Sequence, residues 1–173
     1  MDSEYTITAA RLCDLPFLPA IELAAAQILV GHAPESVLCE TTSLQDLERA
    51  HHNGHLWVAL RGDEPVGFAH VELLESATAH LKELDVHPKH GRRGIGRRLV
   101  LTVYEWARSS GFTSLTLTTF RDVPWNMPFY KSLGFEVIPA DKRSPRLLSI
   151  MREEIRRGLD GARRVAMQRS CER

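Results

Sequence analysis

Cysteine is scarce in this sequence, and the three that are present form no close pair. Cys13, Cys39 and Cys171 also lack the short spacing of paired metal ligands. This distribution excludes the small secreted folds that disulfides hold together, and it is typical of a reducing compartment. Because the first residues also lack the basic stretch of a signal peptide, we expect a cytoplasmic protein.

Net charge is lacking too, since 22 Lys and Arg residues balance 22 Asp and Glu residues. A protein that binds nucleic acid or an anionic membrane over a broad surface normally carries an excess of positive charge. The sequence therefore predicts neither of these partners. Arginines gather between Arg152 and Arg173, but acidic residues are interspersed, which favours a solvated helix and tail.

Long hydrophobic runs are absent as well. Residues 15–30 are the most apolar stretch, yet they contain Pro16, Pro19, Glu22 and Gln27. A helix that crosses a bilayer needs about 20 predominantly apolar residues, so this stretch predicts a helix that does not span a membrane. No internal repeat is present, and 173 residues with 43% hydrophobic content predict one globular domain over residues 1–173.

Hydrophobic patterns divide the chain into short strands and helices. Strands are predicted where apolar residues alternate between turn signals, at residues 5–9, 55–60, 65–74, 78–86, 115–118, 135–138 and 164–170. Helices are predicted where apolar residues recur at helical spacing, at residues 15–30, 44–52, 95–110, 124–133 and 147–159. Asp14 and Ser43 are the predicted N-caps of the first two helices. A crossover through the helix at 95–110 predicts that the strands before and after it are parallel.

The most informative stretch is a glycine- and arginine-rich turn between the strand ending at Val86 and the helix beginning at Ile95. Its spacing is G-x-x-G-x-G, which fits neither the dinucleotide fingerprint nor the P-loop. A turn of this kind points backbone N–H groups at one spot beside the positive end of a helix dipole, which predicts a polyphosphate site. The alternative is an ordinary tight turn before a helix. The residues concerned are Gly91, Arg92, Arg93, Gly94, Ile95, Gly96 and Arg97.

A second motif, N-x-x-F-Y-K-S-L-G-F over residues 126–135, follows this loop. Together with V-H-P-x-x-x-x-x-G-I-G-R-R-L over residues 86–99, it resembles the GCN5-related N-acetyltransferases, the GNAT superfamily. The resemblance implies an α/β (α+β) fold with a mixed, mostly antiparallel sheet and helices on both faces. It also implies acetyl-CoA as the acetyl donor, with its pyrophosphate on the glycine loop. The family's loop usually has Arg or Gln where this chain has Gly91, so the arginine that reaches the phosphates is left open.

The resemblance also implies roles for the strand and for the second motif. The main chain of Leu84, Asp85 and Val86 would hold the pantetheine arm if this strand diverges from its parallel neighbour. Asn126 would hydrogen-bond the same arm, with a helix N-cap as the alternative role. Tyr130 would donate a proton to the departing thiolate, because an unperturbed phenol with a pKa of about 10 is protonated at neutral pH. The alternative for Tyr130 is a core aromatic.

Glu83 is the candidate general base, by position in the family motif and because burial can raise the pKa of a carboxyl group. The alternative is an ion pair with Lys82, and His70 and Glu72 are reserve bases. The histidines at positions 51, 52 and 55 predict a surface turn, because Gly54 interrupts the helix that would align them. The helix at 147–159 is either a wall of the acceptor pocket or a cover for one sheet face.

These patterns predict an acetyl-CoA-dependent N-acetyltransferase that acts by direct transfer on a primary amine of a small molecule or amino acid. A protein N-terminus or lysine side chain is the alternative acceptor. A non-catalytic acyl-CoA-binding sensor is the rival class, because a fold and a cofactor site do not prove turnover. Homodimerisation is left open.

Overall fold

A computed structural model describes residues 4–75 and 77–172, and its centre is a seven-stranded sheet. The strands are β1 (Tyr5–Ala9), β2 (Leu56–Arg61), β3 (Glu64–Leu73), β4 (Thr78–Val86), β5 (Ser114–Phe120), β6 (Glu136–Val137) and β7 (Arg164–Ser170). Their order across the sheet is β1-β2-β3-β4-β5-β7-β6. All neighbouring strands are antiparallel except β4 and β5, which are parallel. The predicted mixed, mostly antiparallel sheet is confirmed.

Within the described residues, six α-helices lie around the sheet and cover both of its faces. They are α1 (Leu18–Ala26), α2 (Glu35–Leu38), α3 (Leu44–His52), α4 (Ile95–Ser109), α5 (Met127–Ser132) and α6 (Pro145–Arg156). The apolar stripe of α4, which includes Leu99 and Val103, packs with residues of α5 on one face. On the opposite face, Leu18 of α1 and Leu47 of α3 pack against Phe68 of β3, and α6 has its own small core. The sheet therefore separates α4 and α5 from α1, α3 and α6.

Local sequence signals explain the bounds of α3. The hydroxyl oxygen of Ser43 accepts a hydrogen bond from the backbone N–H of Asp46 at 3.1 Å, which satisfies one orphan donor of the first turn. At the other end, Gly54 adopts a φ of +71°, the left-handed conformation that stops a helix. The predicted helix with its Ser43 cap is confirmed.

The predicted helix at 15–30 with Asp14 as its N-cap is wrong in its first part. The chain forms a 3₁₀ segment at Leu12–Phe17, then α1, then a second 3₁₀ segment at Gln27–Leu29. Asp14 lies in the first segment, where its carboxylate accepts from the backbone N–H of Arg11 at 2.8 Å. Pro16 and Pro19 lack N–H donors, so regular α-helix begins only where Pro19 falls in the first turn.

The run Leu12–Leu29 has a mean hydropathy of 1.5, and it is long and apolar enough to cross a membrane by length and composition alone. A core helix passes the same test. About 28% of the run is buried inside the fold, and the buried residues Leu15, Leu18 and Ile21 pack in the cluster between this run and the sheet.

The parallel strands β4 and β5 diverge after a short paired stretch. Their register covers only residues 78–80 of β4 and 114–116 of β5. A register shift against β3 between His70 and Val71 makes Lys82 a bulge residue just beyond that stretch. From Leu81 onwards β4 pairs with β3 alone, so a gap opens through the middle of the sheet. The predicted divergence of this strand is confirmed, and it begins before Leu84.

Candidate active site

A cavity of about 1250 Å³ occupies the gap between β4 and β5. It extends from the glycine loop before α4, across the sheet, to α1, α2 and α6 on the other face. Ligand pockets are typically about 300–1,000 Å³, so this cavity has room for an extended cofactor and a second substrate.

The glycine loop forms one end of this cavity. Gly94 is the N-cap of α4 with a φ of +76°, and no side chain caps the first turn. The first N–H groups of α4 are therefore left for an anion. Gly91 and Gly96 line the cavity, whereas Gly94 lies outside its lining. A Cβ at Gly91 would lie 3.2 Å from the carbonyl oxygen of Pro88. The loop has the backbone geometry that the sequence predicted for a polyphosphate site.

The arginines of the loop divide into two sets. Arg93 forms an ion pair with Glu4 at 3.3 Å and lies 5.9 Å from the ring centre of Tyr5. Arg98 donates to the carbonyl oxygen of Tyr5 at 2.9 Å, so these two side chains fasten the loop to β1. Arg92 lines the cavity with a φ of +59°, whereas Arg97 is exposed and outside its lining. Of these four arginines, only Arg92 lines the cavity.

Replacing Arg92 by glutamine should therefore weaken CoA binding about tenfold, because a hydrogen bond to a charged group contributes about 1.5–3 kcal/mol before screening by solvent. Arg93→Gln is the matched control and should change the dissociation constant by less than about twofold. Calorimetric titration of both variants with CoA checks this. A larger loss in Arg93→Gln would mean that Arg93 leaves Glu4 to bind the phosphates.

The strand that flanks the gap presents two different faces. The side chains of Leu84 and Val86 pack with the core around α4, whereas those of Glu83 and Asp85 line the cavity. Residues 83–86 pair with β3 on one edge only. The N–H and C=O groups on their other edge have no strand partner across the gap, and such groups can bind an amide-bearing arm or a thioester oxygen.

Three carboxylates meet at this strand. The side chains of Glu22, Glu83 and Asp85 each bring one oxygen within 4.8 Å of the others, and we call them the carboxylate cluster. Glu22 comes from α1 and accepts from the backbone N–H of Thr42 at 2.8 Å. Burial, followed by the charge of Glu22, raises the pKa of Glu83 to about 8. Burial, followed by the charge of Glu83, raises the pKa of Asp85 well above its usual range, so the cluster retains protons at neutral pH.

The predicted alternative for Glu83, an ion pair with Lys82, is not found among the described residues. Lys82 is exposed at the bulge, and both Lys82 and Glu83 line the cavity without forming a salt bridge with each other. Within the described residues, the carboxylate cluster is the one group of three close potential metal ligands, and it includes none of the histidines at positions 51, 52 and 55.

The two reserve candidates for the general base, His70 and Glu72, are less well placed than Glu83. His70 is buried opposite Glu83 in the register of β3 and β4, and burial lowers its pKa to about 4. It is also outside the lining of the cavity. Glu72 does line the cavity, but it is opposite His80, where β4 still pairs with β5. Glu83 is the better placed base.

The second motif reaches the gap from the α5 side. Tyr130 packs edge-on against Phe129 and Phe135, with ring centres 5.0 and 5.8 Å away, and it also lines the cavity. Burial, followed by the charges of Asp85 and Glu83, raises the pKa of Tyr130 above its ordinary value, which keeps the phenol protonated. Asn126 occupies the N-cap position of α5, but its side chain makes no capping bond and it lines the cavity.

The late helix α6 serves both predicted roles. Leu147 and Met151 pack against Ile138 and Ala166 and cover the sheet, while the opposite side of the helix lines the cavity. A buried ion pair joins Arg164 of β7 to Glu154 of α6 at 2.9 Å. The hydroxyl of Thr118 in β5 donates to the same carboxylate. This pair fixes the acceptor-side wall to the strand that borders the gap.

Sequence reasoning missed Glu22 as a site residue. The available signal was its position as the single charged residue within the apolar stretch 15–30. A carboxylate is rarely buried without a partner, so an isolated glutamate in an apolar helix is a candidate for a functional site.

Comparison with known proteins gives consistent results. The sequence model of the Acetyltransferase (GNAT) family matches residues 24–135. N-acetyltransferase family 8 member 3 of Rattus norvegicus is 29% identical over 109 residues, covering 58% of this chain and 48% of the relative. The chain thus spans about half the length of the curated relatives it matches.

Solved structures agree on the fold. The PaiA N-acetyltransferase of Thermoplasma acidophilum, in complex with coenzyme A, superposes with a TM-score of 0.74 at 17% identity, covering 96% of this chain and 98% of that one. The ribosomal-protein-S18-alanine N-acetyltransferase of Escherichia coli gives a TM-score of 0.68 at 18% identity, covering 98% and 95%.

Proposed function

The chain belongs to the GNAT acetyltransferase family, and from this premise we propose that it transfers the acetyl group of acetyl-CoA to a primary amine. The acceptor amine is carried by a small molecule or an amino acid. The observation that carries the proposal is the placement of Glu83 and Tyr130 on the same gap, with the anion-binding loop at one end of the cavity.

Each step of acyl transfer has a group in position for it. Unpaired main-chain N–H groups of residues 84–86 would hold the thioester oxygen as negative charge develops on it. Glu83 would accept the proton of the acceptor ammonium, directly or through water, so that the neutral amine can attack the acetyl carbon. As the C–S bond breaks, Tyr130 would give its proton to the departing sulfur, and the second proton lost by the attacking nitrogen would restore the phenol through water. The C–N bond formed and the C–S bond broken leave an acetamide and free CoA, with no acetylated protein.

The direct test of this function is the release of CoA thiol from acetyl-CoA in the presence of a panel of primary amines. An acetyltransferase gives amine-dependent release. Tight cofactor binding without any amine-dependent release would identify the rival, a non-catalytic acyl-CoA sensor. Acetylation confined to peptides would identify a protein acceptor.

Gly94→Asp should abolish cofactor binding. Acetyl-CoA at a hundredfold excess over its dissociation constant stabilises a protein by about 2.7 kcal/mol, roughly 5–10 °C in melting temperature for a chain of this size. An aspartate at Gly94 places a negative charge at the N-terminus of α4, where the phosphates would lie. The expected cofactor-induced shift is zero.

Gly111→Asp is the matched control for backbone strain. Gly111 also has a positive φ, +85°, with open space around its Cβ position, and it lies at the opposite end of α4. Both variants should lose similar intrinsic stability, but only Gly111→Asp should retain the cofactor-induced shift. A normal shift in Gly94→Asp would remove the loop from the cofactor site.

We further propose a cytoplasmic location, a single domain over residues 1–173 and, as an open alternative to a monomer, a homodimer. Light scattering of the purified protein at several concentrations separates the last two states.

A further inference from the structure

The carboxylate cluster has an oxygen atom that could still accept a hydrogen bond from a ligand. Its oxygens come from two separate elements, α1 and β4, and all three side chains line the cavity. The Oδ2 atom of Asp85 is buried and has no hydrogen-bond partner among residues 4–75 and 77–172. A buried carboxylate oxygen without a donor is costly, so a donor from outside the chain is expected at this point.

Two cationic side chains near the carboxylate cluster, those of Arg157 and Arg164, already form ion pairs with other acidic residues. Arg157 donates to Glu40 at 2.7 Å, and Arg164 is held by Glu154 at 2.9 Å. Lys82 is exposed at the bulge of β4. None of the three forms an ion pair with the cluster in the described part of the chain, although all three line the cavity and their charges act on Glu83. The cluster therefore has cationic neighbours but no direct ion-pair partner among them.

Part of the cavity wall is apolar, whereas α6 contributes charged side chains such as Arg146 and Glu153. On one side, Ala25, Ala26 and Leu29 continue from Glu22 along the first helical run. On the other side, Phe120 and Leu159 form a small buried cluster. A ligand whose cationic group reaches the carboxylates therefore has its carbon skeleton against apolar side chains.

We propose that Glu22, Glu83 and Asp85 jointly bind the ammonium group of the acceptor, and that the preferred acceptor is a primary amine on an apolar skeleton with no carboxylate on the amine-bearing carbon. This inference rests on the proposed function and narrows it. Burial keeps protons on the free cluster, but a bound ammonium group favours its ionised carboxylates. A carboxylate beside the amine would then lie within a few ångströms of this negative charge, where like charges repel because little water screens them. Free α-amino acids are therefore poor acceptors.

The first test compares three acceptors of one size class: 2-phenylethylamine, phenylalanine amide and phenylalanine. 2-Phenylethylamine and phenylalanine carry similarly basic amines. Phenylalanine amide has a group of about the same size as the carboxylate but without its charge, so it distinguishes a charge effect from a steric effect. We expect kcat/KM for 2-phenylethylamine and for the amide to exceed that for phenylalanine by about 100-fold or more, the scale of a close like-charge contact. Equal or better acetylation of phenylalanine would overturn the inference.

The second test measures binding without turnover. Calorimetric titration of the CoA-loaded protein with 2-phenylethylamine should show about tenfold weaker binding in Glu22→Gln, because one charge-assisted contact is lost. Glu153→Gln is the matched control, since this exposed glutamate lines the same cavity from α6 outside the cluster. Binding unchanged within twofold in Glu22→Gln would contradict the ammonium site.

Two further outcomes are informative. Displacement of the amine by Mg²⁺ or Ca²⁺ would assign the cluster to a metal ion and overturn the inference, because carboxylate oxygens are also the preferred ligands of these ions. If no amine releases CoA thiol, the proposed function fails, and the calorimetric comparison of Glu22→Gln with wild type still decides whether the cluster binds an ammonium group.

Discussion

Tyr130→Phe should lower kcat by about 10²- to 10⁴-fold while leaving the dissociation constant for CoA nearly unchanged. Phenylalanine preserves the edge-on contacts of Tyr130 with Phe129 and Phe135, so the packing of α5 should survive. What is lost is the proton that the departing sulfur needs. Steady-state kinetics with acetyl-CoA and an accepted amine, together with calorimetric binding of CoA, measure the two quantities separately.

Tyr104→Phe is the matched control for removal of a phenol from the same core. The hydroxyl of Tyr104 donates to the carbonyl oxygen of Ser170 at 3.0 Å, and Tyr104 lies outside the cavity lining. Its removal should cost about 0.5–1.5 kcal/mol of stability with no change in kcat. If Tyr130→Phe retains kcat within a factor of two of wild type, Tyr130 is only a packing residue.

Glu83→Gln should remove the acidic limb of the pH–rate profile along with most of the rate near neutral pH. In the wild type, kcat/KM should rise with pH through about 8, the value to which burial and the charge of Glu22 raise the pKa of Glu83. The variant should lose about 10²- to 10⁴-fold near neutral pH, and the loss should shrink as free amine becomes abundant at higher pH. Besides burial, the charges of Glu22, Lys82, Arg157 and Arg164 set this pKa. His70 is opposite Glu83 in the strand register, and Asp85 and Tyr130 line the same cavity and lie close enough to feel the charge of Glu83.

The same substitution should make the protein more stable at alkaline pH. Because the pKa of Glu83 is raised on folding, its contribution to stability is fully present below the unfolded value and is lost as pH rises through about 8. Glutamine cannot ionise, so the melting temperature of the variant should exceed that of the wild type most clearly near pH 9. A pH–rate profile parallel to wild type, or equal melting temperatures at pH 6 and pH 9 in both proteins, would remove Glu83 from the mechanism.

The sequence was most accurate for the helices and strands whose bounds depend on residues within or next to the element itself. The strands Tyr5–Ala9, Thr78–Val86 and Arg164–Ser170 have the predicted bounds, because alternation within each is bounded by turn residues. The helix α3 likewise has a capping serine and a stopping glycine. In contrast, α2 is four residues long and too short to show a period, so it was missed.

The residues of the candidate site likewise fall into two groups, those that the sequence indicated and those that only tertiary packing brings together. The resemblance to the family was enough to select Glu83 and Tyr130 as candidates, and the structure brings both to one cavity. The proximity of Glu22 depends on how α1 packs over β4, which no local pattern encodes. The arginines of the loop are identical in sequence character, and only the contacts of Arg93 with Glu4 and Tyr5 distinguish it from Arg92.

Acyl transfer across the gap is tested most directly by following CoA thiol and acetylated amine together in wild type and in the double variant Glu83→Gln, Tyr130→Phe. We predict that wild type releases one thiol for each acetylated amine and only when an amine is present, whereas the double variant binds acetyl-CoA with wild-type affinity and releases almost none. Amine-dependent release by the double variant at the wild-type rate would show that the chemistry takes place without these two residues.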